Sequence, residues 1–237
     1  MPFQTTTRTR TLSQTLCTLL IVECVYLRYA HQLNRLKPIF ESSARSLESA
    51  IRPNAQNMEL LRLAQAEFSS FLTEVNQGDK AAKSQYVGTH IRRGDRKSLS
   101  YSFLDRKIPT KDYLDAVEKT WSRLHNGAPS QVHPVIYLAT DSSDVHKELS
   151  QVYEGRSYSL FDSWDPRLSV LTSPGEYIQK QFDALNLQER VAATRGMIVD
   201  LAMVGGLWTK EKDLKPDAVI CGLRFEHIYL SNNFLKC

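Results

Sequence analysis

The spacing of apolar residues changes character near residue 79. From Leu12 to about Phe71 the apolar positions recur at helical intervals, as in Leu60, Leu61, Ala64, Phe68, Phe71 and Leu72, the signature of helices with one buried face. Pro38 and Pro53 interrupt this pattern. Proline disfavours a helical residue before it, so three helices are expected, with boundaries near Lys37 and Arg52. Asn76-Gln77-Gly78-Asp79 then forms a polar break.

Beyond the break, short apolar runs alternate with amphipathic stretches. Tyr86–Ile91, Val135–Ala139, Ser157–Phe161 and Ala218–Cys221 read as strands; Thr110–His125, Asp144–Tyr153 and Leu187–Trp208 read as helices. This alternation predicts an α/β fold with a parallel sheet flanked by helices and connected by right-handed crossovers. The expected organisation is a helical N-terminal segment, residues 1–79, followed by a Rossmann-like domain, residues 80–237.

Composition narrows the field only slightly. The 237 residues are 42% hydrophobic and 24% charged, which suits one folded core rather than a disordered chain. A formal net charge of +4 is too small to argue for nucleic acid, whose binders concentrate cations on one face; it is compatible with a phosphorylated ligand. Cys17, Cys24, Cys221 and Cys237 contain no CxxC pair, so neither a zinc site nor a disulfide framework is indicated. Near the N-terminus, Arg8 and Arg10 precede the apolar run Leu16–Leu27, the outline of a signal anchor. Glu23 within that run costs on the order of 2.5–3.5 kcal/mol on insertion scales, and a span needs about 20 apolar residues. A buried helix is therefore favoured over a membrane anchor.

The candidate chemistry collects where strands end. His90-Ile91-Arg92-Arg93-Gly94-Asp95 follows the first strand and Thr140-Asp141-Ser142-Ser143 follows the second. In open parallel sheets both positions lie on the carboxyl rim, where ligands bind beside helix N-termini. Arginine suits a diphosphate because its planar fork forms bidentate, charge-assisted bonds and stays protonated. Gly94 allows a tight turn and Asp95 can brace an arginine. The residues alone leave other readings open: RRGDRK as a solvated basic loop or nucleic-acid patch, and Asp141, Ser142 or Ser143 as the N-cap of the following helix. Asp200 falls on a helix that otherwise reads as core, where Arg195 is one candidate partner.

Three segments carry a family resemblance. The first is His90–Asp95 and the second is Tyr137-Leu138-Ala139-Thr140-Asp141. The third runs from Thr194-Arg195-Gly196-Met197-Ile198-Val199-Asp200 to Pro216-Asp217-Ala218-Val219-Ile220-Cys221. In this order and spacing, between Tyr86 and Cys221, they resemble the three motifs of the α-1,6-fucosyltransferase superfamily, which includes the protein O-fucosyltransferases.

The resemblance implies a GT-B-like, Rossmann-like domain that holds GDP-fucose as donor substrate, without a metal or other cofactor, and transfers fucose to a glycan or protein acceptor. It gives Arg92 and Arg93 the charge of the departing diphosphate, an electrostatic role in the transition state. His90, Asp95, Asp141 and Asp200 join them around the donor. The family would place the protein in the secretory pathway, in the Golgi or endoplasmic reticulum, with no nucleic-acid partner. No glutamate follows the first motif closely, which leaves Asp105 as the nearest acid to act as base. The serine-rich turn that continues the third motif in the family has no counterpart in Gly222-Leu223-Arg224-Phe225. Donor binding without transfer, by a fold retained as a binding or scaffold module, is the alternative expectation, and a basic α/β phosphate-binding or nucleic-acid-binding protein is a further one.

Overall fold

The computed structural model describes residues 50–76, 85–95, 108–124, 134–173, 175–209 and 214–221. The chain divides into two units at Arg52/Pro53, and the fold set out below is that of the second. The expected helices before Pro53, the apolar run Leu16–Leu27 and the candidate base Asp105 lie outside the described residues.

Four parallel strands form one sheet: β1 (Tyr86–Ile91), β2 (Val135–Thr140), β3 (Ser157–Tyr158) and β4 (Ala218–Cys221), in the order β3-β2-β1-β4. β1 pairs with β2 from Tyr86↔Val135 to Ile91↔Thr140, and with β4 from Val87↔Ala218 to His90↔Cys221. Both faces of the central strands are buried, as expected where helices cover a sheet on each side. The helices are α1 (Ala55–Val75), α2 (Thr110–Leu124), α3 (Ser143–Val152), α4 (Pro166–Ser169), α5 (Gln179–Ala184) and α6 (Leu187–Gly205).

The alternation of side chains along β1 sorts the core into two halves. Tyr86, Val135, Tyr137 and Val219 pack with Leu61, Phe68 and Leu72 of α1 and Val199 and Met203 of α6. Val87, Ile91, Ile136, Leu138 and Ile220 pack with Val117 and Trp121 of α2 and Leu149 of α3. Thus α1, which its helical spacing groups with the N-terminal segment, contributes to the core of the sheet. Phe68 is fully buried and meets the Tyr86 and Tyr137 rings edge-on at 4.8 and 5.2 Å, a geometry that aligns ring edges with π faces.

Local sequence explains the element ends. α1 starts after Pro53 because Asn54 Oδ1 accepts from the Asn57 amide at 2.8 Å. α6 opens on a reciprocal capping box between Asn186 and Glu189. It ends at Gly205 rather than at the expected Trp208, because Gly206 takes the left-handed conformation, φ 60°, that favours glycine at a helix C-terminus. β3 is shorter than the expected Ser157–Phe161, because Ser159 and Asp162 form a second capping box and turn Leu160–Asp162 into a 3₁₀ segment.

Candidate functional site

The turn after β1 is held by two carboxylates. Asp141, just beyond β2, accepts three backbone amides: Arg93 at 2.7 Å, Gly94 at 3.1 Å and Tyr177 at 3.0 Å. Asp95 donates its amide to the Tyr177 carbonyl at 2.9 Å, and its Oδ2 accepts the Gln179 amide at 2.6 Å. Residues 177–179 are therefore strapped across the Arg92–Asp95 turn. Gly94 is required by this approach: a Cβ there would lie 1.7 Å from the Tyr177 carbonyl oxygen. The constraint is contact with the strap, which the local turn pattern does not reveal.

Asp141 is thus engaged with loop amides. Ser142 occupies the N-cap position of α3 but forms no side-chain cap bond, so the expected capping chemistry at this junction is not used. Charge-assisted acceptance of backbone amides is strong, and it fixes the rim at the point where β1 and β2 end.

The two arginines diverge. Arg93 is buried, and its guanidinium donates to the Ile108 carbonyl and to Thr110 Oγ1, which in turn donates to Glu148. It ties the rim to the start of α2. Arg92 is half-exposed; its guanidinium lies 4.4 Å from the centre of the Tyr177 ring and 3.7 Å from Asp95 Oδ1. The ring face favours the cation, while 3.7 Å is too long for a direct hydrogen bond. Asp95 consequently orients Arg92 without occupying its donors, and the buried Arg92 Nε has no hydrogen-bond partner.

His90 and Asp200 belong to the other face of the sheet. His90 shares the face of Tyr86 and Gly88, on which α6 packs. Asp200, on α6, is half-buried and accepts from the Tyr137 hydroxyl at 3.0 Å. Its expected partner Arg195 instead donates to Gln56 Oε1. Loss of solvent pushes the Asp200 carboxyl up to about 8, against the opposing pull of the Tyr137 hydrogen bond. Burial also raises the Tyr137 hydroxyl well above its ordinary value, and Asp200 adds to that rise.

The structure therefore gathers Arg92, Arg93, Asp95 and Asp141 at one rim and sets Asp200 beneath the sheet. Tyr177 was the residue missing from the sequence-based set. Its only sequence signal is an aromatic residue after Pro174-Gly175-Glu176, in a stretch without periodicity. No family model matches the chain, and no curated protein is significantly similar to it. Among the described residues, no group of three or more histidine, cysteine or acidic side chains is placed to hold a metal, and no helix is long and apolar enough to cross a membrane.

Proposed function

We propose that this α/β unit is the nucleotide-sugar-binding half of a GT-B-type glycosyltransferase, with GDP-fucose as donor and Arg92 as its diphosphate ligand. One observation carries the reading: Arg92 stands at the carboxyl end of β1, where the order β3-β2-β1-β4 reverses direction. In open parallel sheets the crevice at such a reversal is where nucleotides bind. Arg92 is braced there by Tyr177 and Asp95, with guanidinium donors unspent.

In this reading the two arginines have separate duties. The Arg92 fork meets the β-phosphate and offsets the charge that develops as the bond from fucose C1 to the phosphate oxygen breaks. A pre-oriented cation needs little reorganisation at that moment. Arg93 and Asp141 position the loop, while Asp200, held by Tyr137 beneath the sheet, supports the α6 side rather than the donor. Transfer further requires an acceptor held in line and a base within reach. The engagement of Arg93 and Asp141 within the protein favours a second reading, in which the unit binds the donor without transferring it.

Calorimetric titration with GDP tests the assignment. Arg92→Ala is expected to weaken GDP by about 1.5–3 kcal/mol for each charge-assisted bond lost, with an unchanged melting temperature. Arg92→Lys should recover only part of this, since it lacks the fork. Equal affinity of wild type and Arg92→Ala would remove the donor assignment. Acceptor-dependent GDP release from GDP-fucose, across a panel of glycans and peptides, separates transfer from binding alone.

A further inference from the structure

A second polar cleft, which shares no lining residue with the Arg92 turn, lies between the first turns of α1 and the first half of α6. The Tyr86 hydroxyl, at the start of β1, lies 3.0 Å from the carbonyl of Met203 near the end of α6, so α6 runs against the strands. α1 runs alongside it: Gln56 meets Arg195, and Phe68 packs on Tyr86. The cleft between them, of about 200 Å³, is lined by Asn54 and Asn57 of α1 and by Arg190, Thr194, Arg195 and Ile198 of α6.

Two independent features there call for a ligand. The first is uncompensated positive charge. α1 is 21 residues long and carries no acidic residue in its first turn, so the positive end of its dipole is unbalanced. Neither Arg190 nor Arg195 has an ion-pair partner among the described residues, since Glu59 pairs with Arg167 and Glu189 is engaged in the capping box. The second is Asn57, only 8% exposed, whose Oδ1 is buried without a hydrogen-bond partner. A buried acceptor left unmade is costly, and a hydroxyl or amine from a ligand would satisfy it.

We propose that this cleft binds a small hydroxylated anion of monosaccharide size. The anion sits between Arg190 and Arg195, and a hydroxyl donates to Asn57 Oδ1. The cleft is smaller than the roughly 300–1,000 Å³ of drug-sized sites, with room inside it for about one sugar ring. Ile198 offers an apolar wall to the ring's C–H face, and the Thr194 hydroxyl, which donates to the Arg190 carbonyl, remains able to accept. The site does not depend on the donor reading of the Arg92 turn.

The test is calorimetry of the full chain with four probes: glucose 6-phosphate, glucuronate, glucose and inorganic phosphate. Saturable binding of glucose 6-phosphate or glucuronate is expected, the tighter of the two identifying the anion as phosphate or carboxylate. Arg190→Gln, at an exposed position, should weaken it about tenfold or more, as loss of a charge-assisted bond does. Asn57→Ala should abolish the preference for glucose 6-phosphate over inorganic phosphate. GDP affinity should be unchanged in both variants, which separates this site from the Arg92 turn. The proposal is overturned if neither sugar anion binds, if glucose binds as well as they do, if inorganic phosphate matches glucose 6-phosphate in the wild type, or if Arg190→Gln leaves affinity intact.

Discussion

Identical neighbours can be given opposite work by the direction in which the chain points them. Arg93 faces inward and is consumed by Ile108 and Thr110, whereas Arg92 faces the rim over Tyr177. Asp200 shows environment acting on a single carboxyl. With its value raised to about 8, against about 3.9 in an unfolded chain, the folded protein holds a proton that the unfolded chain has released between those limits. The contribution of Asp200 to stability then falls as pH rises from about 4 to about 8, with a limiting slope of about 1.4 kcal/mol per pH unit, and flattens above. Urea midpoints measured across this window should decline less steeply in Asp200→Asn, whose amide oxygen can still accept from Tyr137. Parallel pH profiles for the two proteins would show that Asp200 is ionised throughout.

At the scale of elements, two glycines mark places where backbones touch. A Cβ on Gly88 would stand 2.3 Å from the Val204 carbonyl oxygen, between β1 and α6, while one on Gly94 would meet the strap. Gly88→Ala should therefore loosen the sheet and helix together, lowering stability by about 1–3 kcal/mol or more, read as a drop in melting temperature. Gly94→Ala should act on the strap instead, costing GDP affinity with a smaller change in melting. The reverse ranking would mean that the strap, rather than the seating of α6, supports the core. The strands and helices themselves were legible from pattern, because Val135–Thr140 is almost wholly apolar, Tyr86–Ile91 is a short run with Tyr86, Val87 and Ile91 between polar segments, and Thr110–Leu124 is plainly amphipathic. The placement of Arg92–Asp95 and Asp141 at strand ends followed from that. The strap did not, since Asp141 and Tyr177 are joined by one side chain reaching a distant backbone amide, which leaves no trace in local spacing. The fate of Arg93 was hidden for the same reason: Ile108 and Thr110 lie 15 and 17 residues further along the chain.

At the scale of the molecule, the sheet is ordered around the first of its described strands. β1 is central, with β2 on one side and β4 on the other, and β4 is the last element described. The predicted βαβ alternation accounts for the first pairing, whereas the second required the chain to return across the whole unit. Contacts of such sequence separation form late, because the loop must close before they reward it. During synthesis β2 can cover one side of β1 soon after it emerges, but Val87 and Thr89 must wait for Ala218 and Ile220. Until then the nascent chain carries an unpaired strand edge, the feature through which partly made chains aggregate. For this protein the hazardous interval of translation runs from the emergence of β1 to that of β4, so one edge of the central strand stays open while about 130 residues are added.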